Sequence, residues 1–328
     1  MAVLVTGGAG YIGSHMVLRL ADAGEDVVVL DSLVTGFDWA IDHRARFVQG
    51  AAGDMELVSR IIAEHGITEI VHFAGSIVVP ESVADPLKYY ANNTSTSRNL
   101  IEAAVKGGVK HFIFSSTAAV YGMTGLAPVV EETPLNPMSP YGRSKLMTEM
   151  MLADTAAAHP LTYGVLRYFN VAGGDPQKRS GQSTPQATHL IKVACQAALG
   201  QREKVEIFGT DYETPDGTGV RDYIHVTDLI EAHALLLEKL RQGSHSLTLN
   251  CAYGRGYSVR EVIDTVKSVS GVDFRVDEAP RRAGDPASIT ATGEKVRDEL
   301  GWTPSHDDLV EMVRTAYEWE SHLMRRNR

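Results

Sequence analysis

Short apolar runs alternate with longer stretches of helical periodicity along the first half of the chain. The runs Ala2–Thr6, Val27–Asp31, Arg46–Val48, Glu69–Phe73, His111–Ser115 and Tyr163–Arg167 predict strands. Between them, Tyr11–Ala23, Met55–Glu64, Tyr89–Lys106 and Tyr141–Ala158 predict helices. This alternation predicts an α/β fold built on a doubly wound parallel sheet, with helices on both faces. EIVHFAG and HFIFSS are apolar on both sides, as strands covered on both faces must be. After about Asn170 the rhythm changes. GGDPQKRSGQSTPQ (173–186) and GTDYETPDGTG (209–219) are polar and rich in turn formers, and read as loops. Helical patterns follow at Val226–Leu240, Ser258–Val269 and Asp307–His322, with a short strand at Leu247–Asn250. The expected organisation is a domain over 1–170 and a smaller α/β domain over 171–328, with some segments interleaved.

Bulk composition narrows the classes of function. With 44% hydrophobic and 22% charged residues, the 328-residue chain is that of a soluble globular protein. A net charge of −10 argues against nucleic acid and anionic membrane surfaces as partners. Cys195 and Cys251 stand alone, which excludes a disulfide framework and suits the cytoplasm. MAVLVTGGAG lacks the cationic start and long apolar stretch of a signal peptide, and no apolar run reaches bilayer length. The histidines form no HExxH or other ligand spacing, so no metal is expected.

VLVTGGAGYIGSH places Gly7, Gly10 and Gly13 in a GxxGxxG spacing directly after a strand and before a helix. Gly8 makes GxGxxG an equally valid alignment. Glycines here permit a tight turn and close backbone approach to a pyrophosphate, whose charge the helix N-terminus favours. The combination predicts a Rossmann-type dinucleotide site. Asp31 ends the second strand, 18 residues after Gly13, where a carboxylate can accept both hydroxyls of the adenosine ribose. It would repel a 2′-phosphate, so NAD is favoured over NADP.

Further along, FSSTAAVYG (114–122) displays three hydroxyls at a strand end, and Tyr141 and Lys145 in SPYGRSK form an i, i+4 pair. A lysine cation one turn away, together with an oxidised nicotinamide, would lower the tyrosine pKa and make it a proton acceptor for an alcohol. On spacing alone, such a pair also reads as an ordinary helix-surface contact. Arg221 in GVRDY and Arg282 in PRRAGD carry guanidinium groups suited to phosphate, but each alone also reads as a solvated surface residue.

TGGAGYIG, HFAG (72–75), FSSTAAVYG, SPYGRSK and LRYFN (166–170) together resemble the extended short-chain dehydrogenase/reductase family. DGTGVRDYIHV (216–226) and APRRAGDP (279–286) narrow the resemblance to its branch that epimerises UDP-hexoses at C4, and the match runs from Val3 to Trp319. The resemblance implies an NAD-binding domain over 1–170 and a UDP-sugar-binding domain over 171–328. It makes Tyr141 the base, sets Lys145 on the nicotinamide ribose, and puts the Thr117 hydroxyl near the sugar O4. NAD would be held by Gly7, Gly10, Tyr11, Ile12, Gly13, Asp31, Phe73, Ala74, Gly75, Asn92, Ser115 and Tyr168, besides Tyr141 and Lys145. The UDP-hexose would meet Thr117, Tyr141, Asn170, His189, Arg221, Arg282 and Asp285. A homodimer packed through the helices near 89–106 and 141–158 is implied as well.

Some positions depart from the family pattern. His189 stands where relatives usually carry asparagine, and Ala51 and Ile77 replace polar residues that contact the cofactor. Ser115 and Ser116 read as strand-end hydroxyls satisfied by backbone. Two rival readings keep the fold: a nucleotide-sugar lyase (dehydratase or decarboxylase), and a non-catalytic NAD-binding regulator. The lyases carry an acid or base immediately after the threonine, where this chain has Ala118 and Ala119. A regulator predicts a broken Tyr/Lys pair, and here the pair is intact.

Overall fold

The computed structural model describes residues 2–184, 188–282 and 285–326. The loop expected over 173–186 is thus described as far as Thr184, and residues 283 and 284 of APRRAGDP lie outside the described residues. Strands in chain order are β1 Ala2–Thr6, β2 Asp26–Asp31, β3 Arg46–Gln49, β4 Ile67–His72, β5 His111–Ser115, β6 Thr162–Tyr168, β7 Asn170–Ala172, β8 Lys204–Phe208, β9 Val220–His225, β10 Leu247–Cys251, β11 Gly256–Ser258, β12 Arg275–Ala279 and β13 Ser288–Ile289. The helices are α1 Tyr11–Asp22, α2 Met55–His65, α3 Val79–Ala84, α4 Pro86–Tyr89, α5 Thr96–Lys106, α6 Pro140–Ala158, α7 Leu190–Ala198, α8 Val226–Arg241, α9 Val259–Ser270, α10 Glu294–Leu300 and α11 Leu309–Arg326.

The chain divides into two compact units. The first gathers segments 1–122, 135–167 and 230–249; the second gathers 123–134, 168–229 and 250–328. A seven-stranded sheet in the order β10-β6-β5-β4-β1-β2-β3 organises the first. Every pairing from β6 across to β3 is parallel. β1 is buried along its whole length, as its unbroken AVLVT requires. On one face, Val58, Ile61 and Ile62 of α2 and Leu100, Ile101 and Ala104 of α5 pack on Leu4, Leu30, Ile70 and Phe112 of the sheet. Strand order reverses beside β1, between β2 and β4, so the carboxyl ends of β1 and β4 frame a topological switch point.

The helix expected over Tyr89–Lys106 opens instead as a π-helical stretch, Tyr90–Ser95, before α5 begins. That wider turn is a usual mark of a functional segment, and it carries Asn92 and Asn93. A buried carboxylate also sits in the sheet. Glu69 of β4, 2% exposed, accepts from Arg241 at 2.9 and 2.6 Å, and Arg241 reaches Glu25 at 2.6 Å.

The second unit is assembled from shorter pieces. β9 is its hub, antiparallel to β11 and parallel to β7 and β13, while β12 pairs with β8 in parallel. Helix α9 begins with a capping box in which Ser258 and Glu261 satisfy each other's backbone N–H. No described helix is long and apolar enough to cross a membrane.

Candidate functional site

The glycine loop leaves β1 at the switch point, and its shape depends on missing side chains. Gly7 has φ +75°, and a Cβ there would stand 2.6 Å from the Ala74 N. A Cβ on Gly13 would stand 2.1 Å from the Gly7 O, with only backbone around it. α1 therefore starts tight against the loop. Its N-cap, Gly10, brings no side chain to the first-turn N–H groups, followed by Tyr11 and Ile12. Such an end suits an anion. Asp31 closes β2 and is 9% exposed; its carboxylate accepts from the Ala9 N at 2.9 Å and the Leu33 N at 2.8 Å. A cradle that only glycine fits, an uncapped helix start and this carboxylate fit NAD.

Across the switch point, Phe73, Ala74 and Gly75 continue from β4. The Phe73 N donates to the Thr6 O at 3.0 Å, and its ring lies 5.1 Å from that of His233. Asn92 is exposed and donates to the Ser76 hydroxyl at 2.8 Å. Its neighbour Asn93 is buried and was missed in the sequence. It accepts from the Ser76 N at 2.8 Å and donates to the Ser76 O and the Ser144 Oγ, each at 3.0 Å. Asn93 thereby ties the segment after Gly75 to α6.

The start of α6 is set locally. Ser139 caps it by accepting from the Gly142 N at 3.2 Å, and Pro140 occupies the first turn, where its missing N–H costs nothing. Gly142 lets α6 approach the turn after β5, since a Cβ there would meet the Ala119 O at 2.6 Å. That turn is a 3₁₀ stretch, Ala118–Val120, capped by Thr117, whose hydroxyl accepts from the Ala119 N at 3.1 Å. The packing brings Thr117, Tyr141 and Lys145 together. Thr117 hydrogen-bonds the Tyr141 phenol, and the Tyr89 ring stands edge-on to Tyr141 at 6.5 Å.

Burial raises the Tyr141 pKa, and the hydrogen bond from Thr117 opposes that rise. Burial pushes the Lys145 pKa down to about 8 against the pull of Glu149, and its Nζ donates to the Ser115 carbonyl at 2.9 Å. Lys145 is thus engaged with the end of β5 rather than with the phenol. The Ser116 hydroxyl, expected to be satisfied by backbone, instead meets a side chain. The Ser115 hydroxyl faces the His233 Nε2 at 3.5 Å, and that of Ser116 donates to the Glu149 carboxylate.

In the second unit, Tyr168 ends β6 and Asn170 opens β7, donating to the Asp222 carbonyl at 3.2 Å. Arg221 on β9 donates to the Val220 O at 2.8 Å and lies 3.9 Å from the Asp285 carboxylate. The Arg282 guanidinium stacks on the Phe208 ring at 3.6 Å, and the Asp285 N donates to the Arg282 O at 3.3 Å. Arg221, Arg282 and Asp285 therefore share one neighbourhood. His189 belongs to another set, at the N-cap of α7. Its Nδ1 is 2.6 Å from the Gln182 Nε2, and burial followed by the charge of Lys192 lowers its pKa. Among the described residues, no group of three His, Cys, Asp or Glu could hold a metal ion.

Residues 3–252 match the NAD dependent epimerase/dehydratase family. A UDP-glucose 4-epimerase of Azospirillum brasilense is 54% identical over 321 residues, covering 98% of this chain and 92% of that protein. One of Lacticaseibacillus casei is 46% identical over 323 residues, covering 98% of each. The crystal structure of a Brucella ovis UDP-glucose 4-epimerase in complex with NAD superposes with a TM-score of 0.94 at 41% identity, covering 97% of this chain and 98% of that one.

Proposed function

The chain belongs to the NAD dependent epimerase/dehydratase family, and from that premise we propose that its Tyr141 is the base of a reversible 4-epimerisation of UDP-hexoses. The reaction is NAD-dependent and interconverts UDP-galactose and UDP-glucose, the activity for which the relatives are named. The observation that carries the role of Tyr141 is its place at the start of α6 beside Thr117, one turn before Lys145.

In this reading the first unit holds NAD through the glycine loop and Asp31, and the second binds the UDP moiety through Asn170, His189, Arg221, Arg282 and Asp285. Held by these residues, NAD would supply a reversible hydride acceptor at the sugar C4. Tyr141 accepts the O4 proton as the C4 carbonyl forms, and gives it back on reduction. Thr117 donates to the phenolate and orients O4, while Lys145 fixes the nicotinamide ribose and adds positive charge. A phenol raised by burial needs that charge to act as a base near neutrality. The arginines retain the diphosphate, so the 4-keto sugar can present either face before reduction.

Ala118 and Ala119 fill the turn after Thr117 and offer no second acid or base, which disfavours elimination of water. NAD-loaded protein supplied with UDP-galactose and no reductant is expected to form UDP-glucose, followed by chromatography. A 4-keto-6-deoxy product, or none, would overturn the assignment.

The cytoplasm and a homodimer complete the proposal. Leu87 of α4 and Met147 and Met150 of α6 are 76%, 40% and 59% exposed, apolar side chains that suit a second copy of the chain. Light scattering should give twice the 35.6 kDa chain mass; a monomer at micromolar concentration would rule this out.

A further inference from the structure

Tyr141, Lys145 and Glu149 lie at i, i+4 and i+8 on α6, on one helix face. Glu149 is 7% exposed and Arg167 of β6 is 5% exposed, so both charges are withdrawn from water. Arg167 donates to the Glu149 carboxylate from Nε at 3.1 and 3.2 Å and from Nη2 at 2.6 Å. Its Nη1 donates to the Tyr121 hydroxyl at 3.0 Å. The same carboxylate accepts from the Ser116 hydroxyl. Ser116 directly precedes Thr117 and Tyr121 directly follows the 3₁₀ turn, so the Glu149–Arg167 pair grips both ends of the segment that carries Thr117.

We propose that Glu149, clamped by Arg167, is a positioning residue for the epimerisation: it supports the positive charge of Lys145 and fixes the turn that presents Thr117 to Tyr141. The inference rests on the reading of Tyr141 and Lys145 given above. Lys145 faces Tyr141 and Glu149 on its own helix, the Ser115 carbonyl from β5 and His72 from β4. Burial pushes the His72 pKa down to about 3, so it adds no charge near neutrality. Glu149 is therefore the anion in reach of the ammonium, and Arg167 partly offsets it.

Charge removal at the two ends of the pair must act in opposite directions. Glu149→Gln keeps the shape and one acceptor oxygen for the Arg167 guanidinium but removes the anion. Lys145 then loses its proton more easily, and the alkaline limb of kcat against pH moves down by roughly one unit. Arg167→Gln leaves the anion unopposed, and the limb moves up. With NAD-loaded protein, KM for UDP-galactose should stay within about twofold of wild type, because neither residue is assigned to the substrate. Glu149→Asp, which keeps the charge, should restore the wild-type limb.

A folded Glu149→Gln protein with an unmoved limb, or both variants shifting the same way, overturns the proposal. If Glu149→Gln does not fold, the upward shift in Arg167→Gln decides alone. Failure of both to fold would also overturn it, marking the pair as a stability element only. Wild-type protein that epimerises while the variants show no shift sinks this inference and spares the functional reading. Inactive wild-type protein sinks the reading first.

Discussion

Tyr141→Phe is expected to lower kcat by about a hundred- to ten-thousand-fold, the usual contribution of a positioned acid–base group. NAD content and UDP binding should stay near wild type, because only one oxygen is removed. The ring still packs edge-on to Tyr89, and the residues proposed for the substrate's diphosphate lie elsewhere in the chain. Thr117 loses a partner, but its hydroxyl keeps the backbone bond from Ala119. The loss should therefore fall on kcat rather than KM, the signature of an interaction used in the transition state. Steady-state rates with UDP-galactose, alongside calorimetric titration with UDP, test this. A decrease under tenfold would remove Tyr141 from proton transfer.

Gly13→Ala should cost the protein its NAD before it costs the fold. The added Cβ would lie 2.1 Å from the Gly7 O, 2.8 Å from the Gly7 C and 2.9 Å from the Gly8 Cα, all backbone atoms. Relief must come from shifting the loop whose N–H groups would face the pyrophosphate. Overpacking of this kind costs about 1–3 kcal/mol, roughly 5- to 150-fold in affinity if it falls on NAD binding. Gly125→Ala, with open space around its Cβ, is the control and should bind NAD as wild type does. Equal NAD affinity in the two variants would show that the close approach at Gly13 does not matter.

The first half of the fold was legible because its signals are local. The six runs read as strands correspond to β1–β6, with ends shifted by no more than two residues. The glycine loop announced itself by sequence, and the Tyr141–Lys145 pair by its spacing taken together with the family resemblance. β7, β9, β11 and β13 gave no such signal. They are short, and β9 owes its form to partners spread from Asn170 to Ile289. The π-helical stretch at Tyr90–Ser95 was hidden because helical periodicity does not show one widened turn.

Among site residues, Asn93 was overlooked beside Asn92, since two adjacent asparagines give no hint of which is buried. Glu149 did leave a trace, a carboxylate at i+8 on the Tyr141 face. Its significance needed Arg167, which stands on a strand 18 residues further on. Lys145 was expected to lower the tyrosine pKa by its charge and to sit on the nicotinamide ribose. Its bond to the Ser115 carbonyl depends on the depth of α6 against β5, which no spacing encodes.

The ion pair between Glu69 and Arg241 has a consequence for synthesis on the ribosome. A nascent chain that has completed β6 already holds Glu69 in β4, but Arg241 and β10, which covers the outer edge of β6, are still to be made. About 80 residues separate the ends of β6 and β10, several seconds of translation at ~5–20 residues per second. During that interval the sheet has an open edge and a carboxylate without its cation. The first unit cannot settle strictly in order of emergence, and a chain cut near residue 170 would inherit both defects permanently.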